Sequence, residues 1–571
     1  MHTENNMVNT QLFQTLKGQL LPQATALNQA GAPAYALSPQ HQLAQIAATG
    51  CLSQTFYADA QSQLDAVQAL AAQVEPAFVA QTAVYARQAA FMKDMPVLLA
   101  SLLAVRDVNL LSQVFGRAVD NGKTLRGFVQ MLRSGALGRK SLGSRPKKLV
   151  QQWLLNASEK QLLNAAVGNT PSLADVVKMV HPKPTEAWRA AWFAWLISKP
   201  FDEAALPPAT QAFERFKRAL AQGEVTVVPD VPFQMLTALA LQPAHWAQIA
   251  RAGSWQMVRQ NLNTFARHGV FEQPGMTEVV AAKLRDPVAV AKARVFPYQL
   301  MAAFKASGEG VPAAVREALQ DAMEAALVNV PALEGQVVVC PDVSGSMGSA
   351  VTGHRAGATS SVRCIDVAAL VAAAVLRKNP QARVLPFERD VVKLSLNPRD
   401  SVMTNAQALA AIGGGGTNCS APLALLNQER AKVDLVVLVS DNESWVDARR
   451  GGATQTLIEW GKLKQRCPQA RLVCVDIQPG STTQAVERAD ILNVGGFSDA
   501  VFTMLAQFAK GNAGADHWVG EIQKVSLAQQ YSDECVVAWR MPVGLHPNCL
   551  VSPLVCRHAG AVERKIFLRE C

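Results

Sequence analysis

Charge is scarce in this chain: Asp, Glu, Lys and Arg make up 17% of its 571 residues, against an apolar fraction of 49%. That balance excludes an intrinsically disordered protein, because so apolar a chain can bury large cores. No secretory leader is expected either. The opening MHTENNMVNTQLFQTLKGQ is polar, with an acid at Glu4, and holds no hydrophobic stretch of the exported kind. No run reaches the roughly 20 apolar residues that cross a bilayer. The most apolar, PVLLASLLAV from Pro96 to Val105, lies between Asp94 and Arg106 and reads as a core helix. The ten cysteines include no CxxC pair, and most sit in apolar segments where a thiol behaves as a small hydrophobe. The expectation is a cytoplasmic protein in a reducing compartment, with no membrane partner.

Familiar catalytic patterns are absent as well. A nucleophile elbow needs G-x-S-x-G, and Asp342 stands where Ser344 would require the leading glycine. NGKT at Asn121 to Thr124 has the ending of a phosphate loop, but five residues separate Gly116 from Gly122 where that motif has four, and no strand precedes it. In the tail, His546, His558, Cys535, Cys549, Cys556 and Cys571 lie close together, yet C-x13-C-x6-C is no zinc spacing and packing is the preferred reading. A metal-dependent nuclease or phosphatase would need a carboxylate cluster or a general base near Asp342, and only Asp441 and Glu443 offer themselves. The chain is expected not to be an enzyme.

What is present falls into three parts. From Gln11 to about Val330, Ala, Leu and Gln dominate and helical periodicity recurs, as in QLDAVQALAAQ, TEAWRAAWFAWLIS and VREALQDAMEAALVNV. No repeat of fixed period is detectable, so helix density alone points to a stack of antiparallel helices. At Val337 the pattern changes to strand alternating with helix. Strands are expected at Val337–Cys340, Ala382–Phe387, Val433–Ser440 and Arg471–Ile477, with helices such as CIDVAALVAAAVLRK between them. That order predicts a doubly wound α/β domain on a parallel sheet. The division is therefore residues 1–335 helical, 336–525 α/β, and 526–571 a small β-rich extension without an assignable role.

VVVCPDVSGSM sets Asp342, Ser344 and Ser346 just after a strand, at the carboxyl edge where open parallel sheets bind ligands. Thr417 in GGGGTNCS and Asp441 in VVLVSDNES arrive at matching places later. Together they supply hard oxygen ligands, mostly neutral, which suits Mg²⁺. Alone, D-x-S-x-S is equally an Asx turn that caps a helix. The glycines Gly413 to Gly416 either cradle a phosphate through their N–H groups or position Thr417. Strand, DVSGSM, GGTN loop and SDNE resemble a von Willebrand factor A-type domain with a metal-ion-dependent adhesion site. The resemblance implies Ser344, Ser346 and Thr417 as direct ligands, with Asp342 and Asp441 binding directly or through water.

Lys plus Arg exceed Asp plus Glu by 54 to 44, a net charge of +10. The excess is local: Arg117, Lys123, Arg126, Arg133, Arg139, Lys140, Arg145, Lys147 and Lys148 have Asp120 as their only acid. Such a cluster attracts phosphates without reading sequence, although a solvated helix face has the same composition.

A helical, basic half followed by this metal-site domain resembles the Ro autoantigen family, whose helical half is called TROVE. The carrying motifs are NGKTLRGFVQ, GRKSLGSRPKKLVQQWL, DVVKMVHPKP, MVRQNLNTFARHGVFE, KARVFPYQLMAAF, DVSGSM, GGGGTNCSAPL and DNESW, with LNVGGFSDAVFTML at the end of the second domain. The resemblance implies HEAT-like helices in a monomeric ring closed by the second domain. It implies RNA partners: small Y-like RNAs on the basic outer surface, and 3′ ends of misfolded noncoding RNAs in the hole. It implies a role in RNA quality control beside an exoribonuclease such as polynucleotide phosphorylase. His181 in VHPKP matches the family's Y RNA histidine, and the basic pair the family carries shortly before it is replaced here by GNTPSLAD. The rival is a protein-binding adaptor that uses the metal site as its main surface.

Overall fold

A computed structural model of the chain describes residues 13–16, 19–49, 60–90, 92–293, 295, 297–351, 362–448, 452–478, 480–496, 500–511 and 517–527. Among the described residues from Pro39 to Asn329, helix follows helix. Side-chain caps set many of their starts: Asp107, Asn121, Ser158 and Ser172 each accept backbone N–H groups that the first turn leaves unpaired. NGKT is thus a helix cap. The run at Pro96 lies in the helix Met95–Arg106, whose residues from Met95 to Ala104 are all buried against the helices Pro76–Gln88, Val108–Ala118 and Gly122–Arg133. Among the described residues no helix is long and apolar enough to cross a membrane.

The second half is built on five parallel strands: β1 (Val337–Pro341), β2 (Arg383–Val384), β3 (Leu435–Ser440), β4 (Arg471–Asp476) and β5 (Ile491–Gly495), in the order β5-β4-β3-β1-β2. β1, β3 and β5 are buried throughout, which explains their unbroken apolar runs. Alternate residues face two cores. Val337, Val339, Val437 and Val473 pack with the helices Cys364–Lys378 and Val402–Ala410 in a core continuous with the helical half. Val338, Cys340, Val436 and Leu472 face the helices Ala421–Gln428 and Gln455–Arg466. The sheet is doubly wound, as its sequence order predicts.

Three details differ from the sequence reading. The strand expected at Ala382–Phe387 pairs as a ladder only over Arg383–Val384, since Pro341 of β1 has no N–H to donate back; Leu385 and Phe387 still donate to Val339 and Pro341, and pairing resumes where Asp342 bridges Phe387. β5 was not among the expected strands. The early segment read as helical contains a hairpin, Ala26–Leu27 with Pro33–Ala36, whose second arm pairs antiparallel with Thr482–Thr483. Its Tyr35 and the nearby Leu21 are buried in the second sheet core.

The helical half meets the α/β half at both of its ends. Early on, the helix Pro39–Thr49 packs on β5 and the helix His517–Gln523, and Trp518 meets Tyr85 edge to face at 6.0 Å. Late on, the helices Pro297–Ala306 and Ala313–Ala326 pack on Cys364–Lys378 and Val402–Ala410. The extension from 528 to 571, including its Cys and His residues, lies outside the described residues.

Candidate functional site

β1 carries the chain to Asp342, whose N–H donates to Val439 O at 2.8 Å and so aligns it with the end of β3. Asp342 is fully buried. Its Oδ1 accepts from the Ser344 N–H at 2.8 Å and its Oδ2 from Ser440 Oγ at 2.6 Å. Ser344 Oγ lies 3.3 Å from Ser346 Oγ, and Thr417 Oγ1 donates to Ser344 Oγ at 3.0 Å. Asp441 follows β3 directly. The structure brings all five residues to one edge of the sheet.

The glycine loop explains how Thr417 reaches this place. Gly413, Gly414 and Gly415 all have positive φ, of 39°, 134° and 68°, a region that side chains disfavour. Gly414 N–H donates to Val343 O at 3.1 Å and Gly345 N–H to Gly415 O at 3.2 Å, so the loop is stitched to the D-x-S-x-S turn. A Cβ on Gly416 would lie 2.5 Å from Val446 and 3.0 Å from the Trp445 ring. Trp445, 49% exposed, covers this glycine, and its N–H donates to Thr417 O at 3.1 Å.

The electrostatics are one-sided. Burial first, and then the charge of Asp441, push the Asp342 carboxyl up to about 7. Burial does the same to Glu443, also to about 7, and Asp476 is pushed well above the usual range by burial, Asp441 and Glu443. Asp476 and Ser440 are the residues sequence reasoning missed. Asp476 ends β4 as Asp342 follows β1, so an acid at a strand's carboxyl edge was the available signal. Among the described residues no three His, Cys, Asp or Glu side chains converge to ligate an ion by themselves. The donors that do converge are hydroxyl oxygens backed by buried carboxylates, a set that fits a small hard dication rather than zinc.

The basic stretch resolves into two kinds of residue. Lys123, Lys140, Arg145 and Lys148 are exposed and Lys147 is half-buried; none forms an ion pair among the described residues. Arg145 reaches only Asn109 Oδ1, at 3.5 Å. Arg126, by contrast, is buried and is not placed to meet a phosphate: its guanidinium donates to Pro171 O at 3.1 Å and to Val167 O. Arg139 is likewise occupied by the carbonyls of Ser141, Ala104 and Leu142, and Arg117 by Ser526 O and Gln88. These three arginines hold turns and helix ends together.

His181 caps the helix Leu173–Val180 in the left-handed conformation, φ 53°, and is exposed. Gln151 Nε2 donates to Val180 O at 2.5 Å and more weakly to His181 O. Lys147 lies one turn before Gln151 on the same face of the helix Ser144–Asn156. Lys147 and His181 therefore share one surface.

Residues 336–509 match the family model of the Ro60 von Willebrand factor A domain. Over that span the α/β half is similar to the Ro60 domain. A curated relative, the RNA-binding protein RO60 of Deinococcus radiodurans, is 27% identical over 364 residues, 60% of this chain and 66% of that one. The match thus spans just under two thirds of the relative's length. The crystal structure of the Deinococcus radiodurans Ro protein matches 83% of this chain and all of its own, with a TM-score of 0.59 at 23% identity, a likeness of fold. The five-strand sheet with Asp342 and Thr417 at its edge lies within the residues that match the von Willebrand factor A model.

Proposed function

We propose that the chain is an RNA-binding scaffold rather than an enzyme. The observation that carries this reading is the surface shared by Lys147 and His181, where a lysine that forms no ion pair among the described residues lies on the same side as an exposed imidazole. Lysines of this kind attract phosphates, and an imidazole offers a shaped hydrogen bond or a stacking face for a base. The name of the Deinococcus relative, an RNA-binding protein, supports it.

In finer terms, Lys123, Lys140, Arg145, Lys147, Lys148 and His181 hold a structured, Y-like noncoding RNA. The 3′ ends of misfolded RNAs enter an opening enclosed by the helices and the α/β half, a reading supported by the packing at both ends of the helical array. The setting is noncoding RNA quality control in the cytoplasm by a monomer, with an exoribonuclease such as polynucleotide phosphorylase as partner. Ser344, Ser346 and Thr417, with Asp342 and Asp441, hold Mg²⁺, which offsets the buried negative charge there.

The exposed Trp445 at the rim of that site favours one second reading, an adaptor that docks a partner's carboxylate there. Filter binding of open-ended and hairpin-blocked RNAs across a salt series separates the two. The scaffold reading expects a steep salt dependence and loss of misfolded-RNA binding when the 3′ end is blocked. Equal affinity for both RNAs, with no loss in a Lys147→Ala/Lys148→Ala chain, would leave the adaptor.

A further inference from the structure

The opposite edge of the sheet carries a second polar centre. β4 begins at Arg471 and β5 at Ile491, and the strands are parallel, so residues just before them lie at the amino-terminal edge, away from Asp342 and Asp441. A cavity of about 520 Å³ opens there, walled by Lys464, Arg471, Arg488 and Asp490 together with Pro468 and Ala489. Three cations face one carboxylate.

That carboxylate is already engaged. Arg488 donates from Nε to Asp490 Oδ1 at 3.0 Å and from Nη2 to Oδ2 at 2.7 Å, while Trp460 Nε1 donates to Oδ2 at 2.8 Å. Lys464 Nζ stands 3.8 Å from Oδ2, too far for a hydrogen bond, and is held instead by the carbonyls of Pro468 and Ala470. Arg471 lays its guanidinium over the Phe508 ring at 5.2 Å and makes only a long approach, 3.5 Å, to Ala489 O. Burial lowers the Lys464 pKa; Asp490 opposes this, and Arg488 and Arg471 add to it, so the three cations feel one another. Like charges gathered in a partly buried cavity are unfavourable without an anion between them.

We propose that this cavity is a phosphate-binding site. A tetrahedral oxyanion can accept from the Lys464 ammonium and from both guanidinium groups at once, which is the geometry that arginine forks and a lysine point charge suit. The cavity is larger than a phosphate ion needs, so it leaves room for the rest of a phosphate ester. The phosphate belongs either to an RNA end or to a free ion or nucleotide. The proposal is independent of where RNA sits on the helical half.

Calorimetric titration of the full chain with inorganic phosphate, at ionic strength held constant with chloride, tests it. Saturable binding is expected, weakened about tenfold by Arg471→Gln and by Lys464→Gln, each of which removes a charge-assisted hydrogen bond. Lys464→Arg, which keeps the charge, should retain binding, and the Lys147→Ala/Lys148→Ala chain should bind as the wild type does. A second arm compares short single-stranded RNAs with a 5′-phosphate and a 5′-hydroxyl. A gain from the 5′-phosphate that Arg471→Gln abolishes assigns the site to RNA ends; phosphate binding without that gain assigns it to a free ion or nucleotide. Absence of saturable phosphate binding, or equal binding in wild type, Arg471→Gln and Lys464→Gln, overturns the proposal.

Discussion

Lys305, on a late helix of the helical half, pairs its Nζ with Asp366 Oδ1 at 2.7 Å across the boundary to the α/β half. Asp366 is 2% exposed and also accepts from the Arg363 backbone and guanidinium. Burial alone would raise its pKa, but the bonds from Arg363 and Lys305 outweigh burial and hold the carboxyl below its ordinary 3.8. A lowered folded pKa gives stability that is present above the unfolded value and is lost as pH falls through the folded one. Lys305→Met is expected to cost about 1–3 kcal/mol near neutral pH. The gap from wild type should narrow below pH 3.8, as urea denaturation at pH 7 and pH 3 will show.

Mg²⁺ should raise the thermal midpoint of the chain, because an ion that binds only the folded state stabilises it by about 2.7 kcal/mol at a hundred times its Kd. Thr417→Ala and Asp342→Ala should each abolish most of that rise while leaving RNA affinity intact. Thermal scans with and without Mg²⁺, run beside RNA filter binding, give both readings. An equal rise in all three chains would mean the hydroxyl cluster is only a turn.

Two substitutions of basic residues should behave in opposite ways. Lys147→Ala/Lys148→Ala should leave stability nearly unchanged and reduce the salt slope of RNA binding by about one for each phosphate no longer neutralised. Arg126→Ala should lower stability by about 1–3 kcal/mol, since the carbonyls of Val167 and Pro171 lose their buried donor. The slope should not move in that chain. Chemical denaturation and a salt series on both proteins check the contrast.

His181 separates fold from recognition. Its left-handed backbone costs a non-glycine residue about 1–3 kcal/mol, so His181→Gly should be at least as stable as wild type, whereas His181→Ala should not gain. Both should weaken binding of a structured RNA more than that of a generic strand. Loss of stability in the glycine chain would show that the imidazole itself anchors the fold.

The hydroxyl and carboxylate centre could be read in the sequence because each part follows an apolar strand or a glycine run, and parallel strands end on one edge. Asp476 carries the same signal at the end of β4. The arginines were not separable from composition alone. Arg126 lies among Leu125, Phe128 and Val129, which all face inward, while carbonyls from a later loop occupy its guanidinium. Nor could the hairpin of residues 26–36 be read locally. Its Ala-rich sequence lacks β-branched alternation, and its pairing partner, Thr482–Thr483, is supplied from the far end of the α/β half.

That hairpin sets an order on biosynthesis. Asn28 Nδ2 donates to Ser444 O across 416 residues of chain, and Ala30 N–H reaches Glu443 Oε2. At ribosomal speeds of about 5–20 residues per second, the amino-terminal arm waits roughly 20–80 s for the surface it completes. During that interval its ladder edge is open and the helices after it can already pack. The hairpin can close onto the α/β half only after Ser444 and Thr482–Thr483 have been made.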